Sequence, residues 1–191
     1  MALPMLFLVF GLALGRAAMP AAADDGAEPA WRALQSGGHV ALMRHATAPG
    51  TGDPPGFRLD DCTTQRTLSA EGRAEARRIG AAFRARNVRV AGVWSSQWCR
   101  CLETAELLDL APPVPLPVLN SFFEERGEEA ARTAALQAWL AERQPGGTII
   151  LVTHQVNITA LTGIVPRSGE TIVAKPLPGG GLAIVGRIPP R

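Results

Sequence analysis

The 191-residue sequence has no tyrosine, three histidines and three cysteines. Lysine occurs once, at Lys175, so nearly all of the 19 basic residues are arginine. A net charge of +2 excludes a strongly basic nucleic-acid binder. No apolar run reaches the roughly 20 residues of a membrane-spanning helix. An odd cysteine count leaves at least one thiol unpaired or paired between chains. What is abundant is apolar residues, at 47%, which excludes a disordered chain. The 20 Gly and 16 Pro point to many loops. The length suits one domain with a single core. The arginine excess reads mainly as compositional bias, and only particular arginines carry chemistry.

Leu3 to Gly15 is an apolar stretch, and Arg16 ends it. It is too short to span a bilayer and suits the core of a secretory signal. Ala21-Ala22-Ala23 supplies small residues for cleavage before Asp24. The expected organisation is a signal peptide over 1–23 and one domain over 24–191. The expected location is periplasmic or secreted, and the membrane is contacted only through the signal if it stays uncleaved. Such a compartment permits disulfides.

Val40 to Met43 is a short apolar run ending at Arg44-His45 and reads as a strand buried on both faces. A Gly/Pro/Asp-rich loop follows to about Gln65. Leu68, Gly72, Ala76, Ile79 and Phe83 recur at helical spacing, with Ser69 as cap and Glu75 assigned to the polar face. Val88 to Trp94 reads as a strand, the segment to Leu108 as a helix, and Val114 to Leu116 as an edge piece limited by prolines. A helix is expected over Ala130 to Glu142, a buried strand over Thr148 to Val152 and a short helix over Asn157 to Gly163, with Asn157 as its cap. Ile172 to Ala174 and Leu182 to Arg187 complete the strands. This alternation predicts an α/β fold with a mostly parallel sheet.

His45 and His154 each stand at the C-terminal end of a strong strand, where open α/β sheets place ligands. Arg44 lies beside the first. The segment Ser95 to Ala105 crosses from a strand end into a helix start and brings backbone amides and Arg100 to the positive end of that helix. Two arginines and two histidines suit a phosphate dianion. A histidine there can attack phosphorus and form a phosphohistidine. His39, at the other end of the first strand, reads as structural.

Arg44-His45-Ala46, the Ser95–Ala105 segment and Leu151-Val-Thr-His154 together resemble the motifs of the histidine phosphatase superfamily, branch 1, in that family's order. The resemblance spans about residues 37 to 175. It implies a single three-layer α/β/α domain with a mostly parallel central sheet, like phosphoglycerate mutase. It implies His45 as nucleophile, with Arg44, Arg100 and His154 binding the phosphoryl oxygens, and no metal or organic cofactor. Ala46 and Gln155 stand where glycine is more usual, and neither removes a catalytic group.

The family generally protonates the leaving oxygen with a carboxylic acid. Ser121 falls where alignment would place it, and Glu124 or Glu125 is the best available candidate. A solvated acidic face is the alternative reading, and Asp53, Asp60 and Asp61 are further candidates. Segments 51–56 and 63–66 are expected to rim the pocket. Arg66, Ser96 and Gln155 are candidate substrate contacts. Cys99 and Cys101 flank Arg100, and a disulfide from Cys62 to either one would tie the long loop to the active-site wall. Two cysteines with an arginine between them are a poor zinc arrangement.

The function expected is a phosphoric monoester hydrolase of the histidine acid phosphatase type, acting on a phosphorylated small molecule or envelope component. A short chain without long insertions favours hydrolysis over mutase action. A phosphoprotein phosphatase of the phosphohistidine type and a phosphate-binding module without turnover are the alternatives.

Overall fold

The computed structural model describes residues 26–143 and 146–190. The expected signal peptide lies outside the described residues. No helix among them is long and apolar enough to cross a membrane.

Six strands form one sheet: β1 Val40–Arg44, β2 Val90–Ser95, β3 Pro113–Pro115, β4 Thr148–Thr153, β5 Thr171–Pro176 and β6 Leu182–Ile188. Their order is β3-β2-β4-β1-β5-β6. The first four run parallel, and β5 and β6 join antiparallel. All of β4 is buried. Its side chains alternate between two cores, as a strand's period of two requires. Ile150 and Val152 face one core with Ala41 and Met43, whereas Ile149 and Leu151 face the other with Val40 and Leu42.

Helices cover both faces and make three layers. The helices α1 Glu28–Ser36, α2 Ala70–Ala85 and α3 Cys99–Leu108 pack on the first core through Trp31, Leu34, Ile79, Phe83 and Leu108. The helices α4 Glu129–Ala141 and α5 Gln155–Thr162 pack on the second through Leu136, Leu140 and Ile158. Ser69 caps α2, its hydroxyl accepting from Gly72 N at 2.9 Å. The small face of α2 lets α3 approach closely: a Cβ on Gly80 would lie 1.9 Å from the Leu108 carbonyl oxygen.

Three local expectations change. Helix α1 is additional, started by Pro29 and carried inward by Trp31 and Leu34. Helix α5 starts at Gln155, so Asn157 is not its cap. Instead, buried Asn157 donates to the Asn120 carbonyl at 2.9 Å. Glu75 is buried. It lies three residues after Gly72 and four before Ile79, on the inner stripe, and accepts from Thr47 N at 2.8 Å.

Candidate active site

β1 and β4 are direct neighbours, and β2 flanks β4 on its other side. Their C-terminal ends therefore bring His45, His154 and the start of α3 together. His45 N donates to Thr153 O at 2.9 Å, joining the two histidine segments through the sheet's edge. Buried supports fix this turn. Thr104 Oγ1 accepts from Ala46 N at 3.1 Å, and Glu75 holds Thr47. Glu170, buried against Arg187, gives its backbone oxygen to Arg44 N at 3.1 Å.

His45 is 2% exposed, and its Nδ1 lies 2.8 Å from the Ala46 carbonyl oxygen. A carbonyl only accepts, so Nδ1 carries the proton and Nε2 keeps a lone pair. Burial, followed by the Arg100 charge, pushes the His45 pKa down to about 3, against the opposing pull of the Ala46 carbonyl. The ring is neutral at ordinary pH and available as a nucleophile. The His154 ring centroid lies 5.6 Å away at an interplanar angle of 69°. Burial, followed by the neighbouring His45 and Arg100, holds the pKa of His154 well below the usual histidine value.

A cavity of about 230 Å³ opens over these rings. Arg44, Arg66, Arg100 and both histidines line it. Arg44 donates to Pro166 O at 3.0 Å and to Gln155 Oε1 at 3.3 Å. Arg66 donates to the backbone oxygens of Gly52 and Ala48. Arg100 pairs with Asp53 at 2.9 Å. The Nε atoms of Arg44 and Arg100 are buried without a hydrogen-bond partner. An unpaired buried donor costs on the order of 1–3 kcal/mol. A tetrahedral oxyanion in the cavity would meet the guanidiniums of Arg44, Arg66 and Arg100 that line it. Burial, followed by the Arg100 charge, lowers the pKa of both Arg44 and Arg66, and an anion would relieve that repulsion.

The structure sorts the remaining expected residues. Glu124, Glu125, Ser121 and Gln155 line the cavity, as do Thr51, Gly52 and Asp53. Ser121 accepts from Phe123 N at 3.2 Å, and Glu125 pairs with Arg132 at 3.3 Å. Pro54, Pro55, Gly56, Thr63 and Thr64 are outside the lining, and Gln65 is buried behind it, accepting from Cys99 N at 3.0 Å. Asp60 and Asp61 lie away from the cavity and pair with Arg58. Ser96 is not a cavity residue: fully buried, its hydroxyl lies 2.8 Å from His154 Nε2 and bonds Asn120 Oδ1 at 3.3 Å. It supports the histidine from behind. His39 Nδ1 bonds Gly37 O at 2.8 Å, a structural contact.

A disulfide joins Cys62 to Cys99, and Cys101 is free and buried. The Cys101 sulfur lies 3.5 Å from His154 Nε2, on the inner side of α3 where Cys62 does not reach. Sequence reasoning did not single out Phe57, Phe123 or Val156, which add apolar surface to the cavity.

Residues 40–127 match the family model of the histidine phosphatase superfamily, branch 1. No curated protein matches the sequence. Among solved structures, that of the protein histidine phosphatase SixA complexed with tungstate is similar at 19% identity and a TM-score of 0.58, covering 79% of this chain and 96% of that one. A mycobacterial glucosyl-3-phosphoglycerate phosphatase is similar at 15% identity and a TM-score of 0.57, covering 78% of this chain and 97% of that one. The matched motifs and the shared fold make residues 40–127 similar to branch 1 of the histidine phosphatase superfamily, and the chain as a whole shares that family's fold.

Proposed function

We propose that the chain is an exported phosphomonoester phosphatase that works through a phosphohistidine on His45. The observation that carries this reading is a neutral, oriented imidazole at the floor of a cavity lined by three guanidiniums. The Nε2 lone pair attacks phosphorus and the bond to the leaving oxygen breaks. That oxygen takes a proton from a carboxylic acid on the wall, Glu124 or Glu125. Water then attacks the phosphohistidine, returns one proton to the carboxylate and releases inorganic phosphate and neutral His45. Arg44, Arg66, Arg100 and His154 face the phosphoryl oxygens as charge builds, and donors fixed beforehand need no reorganisation. The structurally similar SixA holds tungstate, and the mycobacterial neighbour is a glucosyl-3-phosphoglycerate phosphatase. Both support a phosphoryl-transfer reading.

His45→Ala tests it: activity on an aryl phosphate falls by about a thousandfold or more, as expected for loss of a nucleophile. Full activity in this variant rejects the mechanism. Export rests on the sequence of residues 1–23. An N-terminus at Asp24 in exported material supports it, and an intact Met1 contradicts it.

A second reading is a phosphoprotein phosphatase of the phosphohistidine type. The SixA likeness favours it, as do the exposed positions of Glu124 and Glu125, because an imidazole leaving group needs no carboxylic acid. Under this reading Glu124→Gln and Glu125→Gln leave turnover of a phosphohistidine peptide unchanged. Under the first, at least one lowers turnover of an alkyl phosphate by tenfold or more.

A further inference from the structure

Asp53 sits in the long loop after β1, 47 residues before Arg100, yet its side chain is 5% exposed and that of Arg100 is 4%. Its Oδ1 accepts from Arg100 Nη1 at 2.9 Å and from Arg66 N at 3.0 Å. Its Oδ2 accepts from Arg100 Nη1 at 3.1 Å and from Trp98 Nε1 at 3.0 Å. All four contacts come from donors. A protonated carboxyl would set its own O–H against one of them, so this geometry requires the carboxylate. A group held this way has no proton to give to a leaving group. Burial alone would raise its pKa, but the Arg66 amide and the Arg100 charge outweigh burial and hold it below the usual carboxylate range.

The same contacts define what Asp53 does to Arg100. They take up Nη1, hold the guanidinium at one end and leave its buried Nε without a partner. The loop is secured to the start of α3 at three consecutive residues. Asp53 holds Trp98 and Arg100, and Cys99 is held by both the Cys62 disulfide and Gln65. The charge balance also fits the ligand. Three guanidiniums less one carboxylate leave about two positive charges on the floor, against the roughly two negative charges of a phosphate group at neutral pH.

Building on the phosphatase reading above, we propose that Asp53 is a positioning residue that orients Arg100 toward the phosphoryl group and takes no part in proton transfer. Arg100 then meets the anion in one prepared geometry, and less rotamer freedom is lost on binding. The charge of Asp53 bears on the phosphoryl group through Arg100, so most of its effect is lost when Arg100 is absent, and what remains comes from its bonds to Arg66 N and Trp98 Nε1.

The experiment measures Asp53→Asn, Arg100→Ala and the double variant, with Trp98→Phe as a milder variant that keeps the carboxylate. Rates are read on an aryl phosphate and an alkyl phosphate, and affinity for inorganic phosphate is read by calorimetry. Asp53→Asn is expected to lower kcat/KM about tenfold on both esters alike and to weaken phosphate binding by a similar factor. Trp98→Phe gives a smaller loss of the same kind. In the Arg100→Ala background Asp53→Asn changes either quantity less than threefold. A loss confined to the alkyl ester would make Asp53 the general acid and overturn the proposal. An equal loss with and without Arg100, or no loss of phosphate affinity, would also overturn it. If no ester is turned over by the unaltered protein, the phosphatase reading fails, while the calorimetric comparison still decides whether Asp53 sets Arg100.

Discussion

At the scale of single residues, burial decides the chemistry of the site. Unfolded His45 takes up a proton near pH 6.5, whereas in the folded chain it does so near pH 3. Between these values the unfolded state binds the extra proton, so stability falls as pH falls from about 6.5 toward 3 and is unaffected above that window. His45 alone should cost about 2 kcal/mol between pH 6.5 and 5. His154, shifted in the same direction, adds to the loss. Urea unfolding midpoints across this range check the slope, and His45→Gln should flatten it. A midpoint independent of pH for the unaltered protein would contradict the assignment. Cys101 shows the complementary effect. Burial pushes its thiol up to about 12, so it stays protonated and unreactive in the folded protein. Thiol titration should find no reactive group in native protein, one after denaturation and three after denaturation with reductant.

At the scale of elements, small residues and cross-links set how closely the parts approach. Alanine in place of Gly80 would gain about 1 kcal/mol of helix propensity. Its Cβ would meet the Leu108 backbone at 1.9 Å. Overpacking costs roughly 1–3 kcal/mol or more, so the clash prevails and Gly80→Ala should destabilise the protein despite the better helix former. Equal or higher stability by denaturant unfolding would show that α2 and α3 can separate at little cost. The Cys62–Cys99 bond closes a loop with a sequence separation of 37. In the chain-entropy model such a loop is worth about 4 kcal/mol. Cys62→Ser should lose stability of that order and raise KM more than it lowers kcat, because the loop it frees carries Asp53 and Arg66.

At the scale of the whole molecule, how much of the design was legible depended on sequence distance. Strand ends are local, so Arg44, His45 and His154 were identified from apolar runs and the polar residues that close them. The α/β alternation gave the parallel part of the sheet. The antiparallel direction of β5 was not legible, because a short apolar strand carries no mark of its neighbour's direction. Partnerships across the long loop were also hidden. Asp53 reads as one acidic residue among several until folding sets it against Arg100. Ser96 reads as a substrate contact because it follows β2, yet the turn faces it inward onto His154. The choice between Cys99 and Cys101 depended on which side of the first turn of α3 faces the loop. Glu75 could have been found, since its spacing places it on the apolar stripe of α2.

The central claim, that His45 accepts the phosphoryl group, is tested most directly by trapping it. Protein mixed with an excess of phosphorylated substrate, quenched within the first turnover and kept alkaline, should carry one acid-labile phosphoryl group, mapped to His45 by mass spectrometry. A label on another residue, or turnover with no covalent phosphoenzyme at any quench time, would contradict the account.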